Sequence, residues 1–210
     1  MNKRKFLETA GAASAAAVLL AVKPTQAQAP AVGVNVLVVY HSVTGNTEKM
    51  AHGITEGARS VAGANVVLKR VGEVVADDLL ASDAVIVGSP VYFASMSGEV
   101  KTFFDNWSLK FGLFRELKMR NKVGGAFVTG AAISNGKEVT MQAIHAAMLV
   151  NQMSIVSGGG AFGASATTGP DSPGIDEKAL ESARALGKRV AEFAAVTKRG
   201  SRTYTNPHKE

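Results

Sequence analysis

The hydrophobic positions of this chain fall into short β-branched runs separated by stretches of helical spacing. Residues 34–40 (VNVLVVY) form a continuous apolar run, the signature of a strand buried on both faces. In residues 46–62 the apolar Met50, Ala51, Ile54, Ala58 and Val61 recur near a 3.6-residue period, which predicts a helix. Further strands are predicted at 65–71, 83–88, 122–129 and 153–157. Helices are predicted at 97–111, 138–150 and 176–196. The first carries Val100, Phe103, Phe104 and Trp107 on one face, and the last carries Leu180, Ala183, Leu186, Val190 and Phe193 on one stripe. Five short strands alternating with helices predict an α/β fold, a doubly wound parallel sheet with helices on both faces. The stretch 30–197 is long enough to bury one core.

The two ends do not share this pattern. Lys3, Arg4 and Lys5 precede Phe6-Leu7, an Ala/Leu-rich run over 9–22, then Lys23 and small residues ending Ala27-Gln28-Ala29. That is the charged, apolar, small-residue order of an export signal, and the apolar run falls short of the roughly 20 residues of a membrane span. The pattern is similar to a twin-arginine signal, with Lys3-Arg4 in place of the arginine pair. It implies delivery of a folded, cofactor-loaded protein to the bacterial periplasm, with cleavage after Ala29 or Ala31. An uncleaved amphipathic N-terminal helix is the alternative. Residues 198–210 are polar and basic without apolar periodicity, and are expected to be a solvated, disordered tail. The predicted organisation is a signal at 1–29, one domain at 30–197 and a tail at 198–210.

Charge changes meaning once it is placed. The chain has 23 Lys and Arg against 17 Asp and Glu, a net charge of +6. Each end, 1–29 and 198–210, holds four basic residues and one acidic residue, which leaves the body neutral with 15 of each sign. A nucleic-acid-binding core is therefore not expected. The absence of cysteine excludes disulfides, thiolate catalysis and cysteine-based metal sites.

Parallel α/β sheets bind ligands at the carboxyl ends of their strands, so the loops there are the first place to look for chemistry. After the first strand, Ser42, Val43, Thr44, Gly45, Asn46 and Thr47 run directly into a helix. Hydroxyls and free amides at a helix N-terminus form a phosphate cradle; an ordinary Ser/Thr cap is the alternative. No Gly-Lys-Ser/Thr is present, so a triphosphate loop is not supported. After the third strand, Ser89-Pro90-Val91-Tyr92-Phe93 offers aromatic rings to a flat ligand or to the core. After the fourth, Thr129, Gly130, Ala131, Ala132, Ile133, Ser134, Asn135 and Gly136 allow close approach of backbone amides. Gly158, Gly160 and Gly163 spell G-x-G-x-x-G, but a Pro-containing polar loop follows where a dinucleotide site needs a helix. The four histidines, at 41, 52, 145 and 208, show no metal-ligand spacing, and His41 is expected to pack or bond locally.

The three loops resemble those of the flavodoxin-like flavoproteins, and more specifically their NAD(P)H:quinone oxidoreductase (Trp repressor-binding protein) branch. The similarity extends over 96–105, 135–138 and 162–164, in order, within residues 34–197. It implies a sheet of order 2-1-3-4-5 and bound FMN. Residues 42–47 would hold the phosphate, and Pro90, Val91, Tyr92 and Phe93 would line one side of the isoalloxazine. Thr129, Gly130, Ala131, Asn135 and Gly136 would cover its pyrimidine edge. The branch often has a His near the flavin just before strand five; the matching position here is Asn151. Trp107 or Phe111 would be the aromatic wall contributed by a partner in a homodimer or homotetramer, with 107–122 in the interface. The resemblance further implies NADH or NADPH as electron donor, a quinone as acceptor, and ping-pong hydride transfer carried by the flavin rather than by a catalytic side chain. A one-electron flavodoxin-type carrier and a low-turnover regulatory flavoprotein are the competing readings. The neutral body weighs against the first, because such carriers are typically acidic.

Overall fold

The computed structural model describes residues 33–170 and 174–203; the expected export signal lies outside the described residues. The elements run β1 (Val34–Tyr40), α1 (Asn46–Arg59), β2 (Ala64–Arg70), a 3₁₀ turn (Val71–Glu73), α2 (Ala76–Ala81), β3 (Ala84–Tyr92), β4 (Ser95–Met96), α3 (Gly98–Leu109), β5 (Val123–Gly130), α4 (Lys137–Val150), β6 (Ser154–Ile155), β7 (Ala164–Thr167) and α5 (Glu177–Thr203). The sheet order is β2-β1-β3-β5-β6, every neighbour parallel, with β7 also parallel to β5. This is the flavodoxin-like α/β architecture expected from the sequence.

Side chains alternate across the sheet as the period of 2 demands. Val34, Val36, Val38 and Tyr40 of β1, with Ile86 and Phe127, face α1 and α5. Leu37, Val39, Val85, Val87 and Val128 face α2, α3 and α4. α1 and α5 pack with their backbones in close approach: a Cβ at Gly57 would overlap the carbonyl of Arg184, and one at Gly187 would overlap that of Ile54.

Four features depart from the sequence pattern. β3 continues through Pro90 to Tyr92 and folds back antiparallel onto β4, where a loop was expected. β1 pairs with β3 only as far as Gly88, so Pro90 lies where that side of the strand is open and its missing N–H leaves no ladder bond unmade. The fifth strand is two pieces: β6 pairs with Val123 and Gly124, β7 with residues 127–130, and 156–163 make an excursion between them. The Gly-rich 158–163 segment is that excursion, with no helix opening after it. α2 is a six-residue helix too short for a periodicity to reveal. Finally, α5 continues to Thr203, so the tail expected to begin at 198 starts out helical. Lys198 Nζ bonds Asp83 Oδ2 at 2.7 Å, which ties this last part to the domain; 204–210 lie outside the described residues. No described helix is long and apolar enough to cross a membrane.

Candidate functional site

The crossover from β1 into α1 and from β3 into α3 leaves the sheet on opposite faces, and this switch opens the crevice in which such sheets bind ligands. Residues 42–47 form one wall. Gly45 adopts φ 82°, a left-handed conformation glycine takes without a Cβ penalty, and no side chain caps α1. The amides of the first turn therefore face outward as free donors. Ser42 is buried, and its hydroxyl has no hydrogen-bond partner among the described residues. An orphaned buried hydroxyl costs about 1–3 kcal/mol, and a ligand oxygen would relieve that cost. Val43 is exposed, and Asn46 Nδ2 donates to Thr44 Oγ1 at 3.2 Å.

The cradle is braced from two sides. Thr47 and Thr129 are both buried, and their hydroxyls meet at 2.8 Å, joining the start of α1 to the end of β5. From β2, Arg70 donates Nη1–H to the Ser42 carbonyl (3.1 Å) and Nη2–H to Glu48 Oε2 (2.8 Å), while Tyr40 OH donates to Glu48 Oε1 (2.6 Å). The Arg70 guanidinium also lies over the Tyr40 ring, 5.3 Å from its centroid. Burial first, and then the bond to Glu48, push the Tyr40 phenol up to about 12. The Tyr40 hydroxyl is the main cause holding the Glu48 carboxyl below its ordinary range, with Arg70 adding to it.

The second wall is the β3–β4 hairpin. Ser89 pins its base, accepting from Ser97 N at 2.9 Å and donating to the Pro90 carbonyl at 2.7 Å. Phe93 and Ala94 form the turn with φ 49° and 61°, both left-handed without glycine. Such pairs suit the twist of a tight hairpin but strain L-residues. The turn turns Phe93 outward, fully exposed, and leaves Tyr92 43% exposed. Neither ring fills the core beneath the loop.

The third wall is 129–136. A Cβ on Gly136, itself at φ 89°, would lie 2.6 Å from Ala94 Cβ, so this loop closes against the hairpin tip. The Asn135 side chain turns into its own loop. Oriented to satisfy both partners, it donates to the Ala132 carbonyl and accepts from Ala131 N, each at 3.1 Å. Two cavities adjoin this edge: one of about 850 Å³ beside the hairpin, lined by His41, Arg70, Tyr92 and Glu99, and one of about 650 Å³ beside the third wall, lined by Ala131, Ala132, Ile133 and Thr167. His41 Nε2 is 3.5 Å from Glu99 Oε2 and makes no hydrogen bond there.

The structure thus gathers all the residues expected at 42–47, 90–93 and 129–136 on one edge of the sheet. Asn151 is elsewhere. It closes the far end of α4, whose 14 residues span about 21 Å. Trp107 does not offer a wall to a partner, because it is 1% exposed and packed against Phe103 and Phe104 in this chain's own core. Sequence reading missed the Arg70–Glu48–Tyr40 brace and Lys137. Arg70 had a usable signal, a cation ending a strand at the ligand-binding edge. Lys137 follows a turn-forming Asn-Gly and is buried, with Nζ donating to loop carbonyls.

The fit to FMN rests on these observations: a cradle of amides and an unsatisfied hydroxyl without Lys or Arg, next to exposed aromatic rings. Residues 69–168 match the family model described as NADPH-dependent FMN reductase. The chain is 33% identical over 197 residues to an NAD(P)H dehydrogenase (quinone) of Chromohalobacter salexigens, an alignment covering 76% of this chain and 96% of that protein. It is 33% identical over 199 residues to a protein of the same name from Geotalea daltonii, with the same coverage. Among solved structures it is similar to a flavodoxin, WrbA-like protein from Agrobacterium tumefaciens, with a TM-score of 0.66 at 30% identity, covering 77% of this chain and 98% of that one. The chain belongs to the NAD(P)H dehydrogenase (quinone) family of flavodoxin-like FMN proteins.

Proposed function

We propose that this protein is an FMN-dependent oxidoreductase that passes two electrons from NADH or NADPH to a quinone. The observation that carries this reading is the junction of the phosphate cradle with the end of β5 and the loop after it, locked by the Thr47–Thr129 contact, beside the aromatic hairpin. The donor and acceptor are those named for its relatives. When bound, FMN supplies hydride acceptance and release. The chain's own residues bind and orient it. Amides of the first turn of α1 and the Ser42 hydroxyl would hold the phosphate, and Gly45 lets the loop close around it. Pro90, Val91, Tyr92 and Phe93 would flank the ring and keep water from one face, while Thr129, Gly130, Ala131 and Gly136 would border its pyrimidine edge. Asn135 would act by holding that border in shape. Donor and acceptor would use the same open face in turn.

Steady-state rates with NADH or NADPH and benzoquinone both varied test this reading. Parallel double-reciprocal lines support the alternating reaction. A flavin-loaded protein that does not oxidise either nucleotide would instead be the one-electron carrier, a reading favoured only by the general likeness to flavodoxins.

The finer proposals concern address and assembly. Residues 1–29 would direct export to the periplasm before removal, as the charged-apolar-small order suggests. The exposed Leu109, Phe114 and Val150 border an apolar groove of about 930 Å³ between α3 and α4, which suits a homodimer or homotetramer. Cell fractionation with N-terminal sequencing, and light scattering of the purified protein, test these two points.

A further inference from the structure

Lys137 is the only buried lysine or arginine among the described residues, 5% exposed. Its ammonium donates to the Ala132 carbonyl (2.7 Å), the Ile133 carbonyl (3.0 Å) and Thr167 Oγ1 (3.0 Å). All three acceptors are neutral, and no described carboxylate lies within ion-pair distance of it. A buried cation that meets only dipoles is an expensive feature unless something else compensates it. Lys137 is also the first residue of α4, whose N-terminus has no side-chain cap and contributes positive potential of its own. The neighbouring Glu138 is exposed and makes no ion pair with the buried ammonium. Positive charge therefore accumulates directly beneath 131–133, whose outer side is exposed and lines the 650 Å³ cavity.

We propose that Lys137 is a charge-tuning residue for the cofactor: its fixed cation favours the two-electron-reduced form of bound FMN over the oxidised form. The proposal rests on the reading that 129–136 borders the pyrimidine edge of the ring. A hydride delivers two electrons with one proton, so the ring system carries net negative charge until a second proton follows. A cation held at that edge by three rigid oxygens is already in place when the charge develops. The neutral acceptors matter here, because a carboxylate partner would cancel the field, whereas carbonyls fix the ammonium without cancelling it. Lys137 thereby makes the bound flavin a better hydride acceptor and a weaker reductant.

The test separates this role from simple stapling of the loop. Wild type, Lys137→Arg, Lys137→Gln and Lys137→Met are titrated anaerobically with oxidised FMN and with chemically reduced FMN. Met and Gln are expected to lose about tenfold more affinity for the reduced than for the oxidised form, equivalent to a two-electron potential lowered by about 30 mV. Arg is expected to keep the wild-type ratio. Equal losses for the two forms in Met and Gln would overturn the proposal and leave Lys137 as a loop staple. Gln keeps two donors for the same carbonyls; if even that variant holds neither form, the residue serves loop structure and the proposal fails. If wild type itself binds neither form, the flavin reading is what fails, a result distinct from an unchanged ratio.

Discussion

The hydroxyls of Thr47 and Thr129 meet at 2.8 Å in a buried position, tying the first turn of α1 to the carboxyl end of β5. This contact fixes the phosphate cradle relative to the loop expected at the ring. Thr129→Val leaves the Thr47 hydroxyl buried without its partner and is expected to cost about 1–3 kcal/mol. The double variant Thr47→Val/Thr129→Val removes both polar groups and is expected to recover part of that loss. Chemical denaturation of wild type, Thr47→Val, Thr129→Val and the double variant checks the cycle, and FMN titration is expected to show weaker binding in both single variants.

The hairpin tip stores strain that a single substitution can release. Ala94 has φ 61°, where glycine is at ease and an L-residue pays roughly 1–2 kcal/mol. Ala94→Gly is expected to raise stability by about 1 kcal/mol. Gly136→Ala should act in the opposite direction, since its Cβ would meet Ala94 at 2.6 Å in a left-handed backbone. Thermal unfolding of the two variants checks the signs.

These two sites also show how much the sequence made legible. The runs at 34–40 and 46–62 predicted β1 and α1 well because β1 is buried along nearly its whole length, α1 buries one face, and each obeys a single period. The carboxyl edge followed from strand order, and with it 42–47, 90–93 and 129–136. The β3–β4 hairpin was hidden because Pro90 reads as a strand breaker unless one knows that β1 has already ended beside it. Two consecutive left-handed residues without glycine or asparagine gave no turn signal. β7 (ASAT) is made of small residues and carries no β-branched run, so a strand completed by pairing with β5 was invisible locally. The far end of α5 lacks an apolar stripe; its helix is continued from a well-packed start and held by Lys198 on Asp83. The buried role of Lys137 needed the fold, because charge alone reads as surface.

The Tyr40–Glu48 bond gives the protein a defined pH dependence. The Tyr40 phenol is raised in the folded state, so its stabilisation is complete below pH 10.0 and is lost as pH rises toward about 12. The Glu48 carboxyl is lowered, so its contribution is present above its ordinary value of 4.5 and lost as pH falls below it. Tyr40→Phe is expected to flatten the alkaline loss and to weaken the acid one. Unfolding temperatures of wild type and variant across both limbs check this.

Arg70 braces the cradle through the Ser42 carbonyl without lying in it. Arg70→Ala is expected to weaken FMN binding about tenfold while changing stability little, because the ion pair with Glu48 is largely exposed. Arg70→Lys restores the charge but not the two-pronged geometry, and is expected to recover only part of the affinity. FMN fluorescence titration against the unfolding midpoint separates the two effects.

This chain carries FMN and cycles it between a nicotinamide donor and a quinone. The most direct measurement is the visible absorbance of the FMN-loaded protein during anaerobic addition of NADH or NADPH, followed by benzoquinone. The flavin absorbance is predicted to bleach with the nucleotide and to return with the quinone. A protein that takes up no FMN, or whose flavin absorbance neither nucleotide bleaches, would not be an FMN-dependent NAD(P)H dehydrogenase.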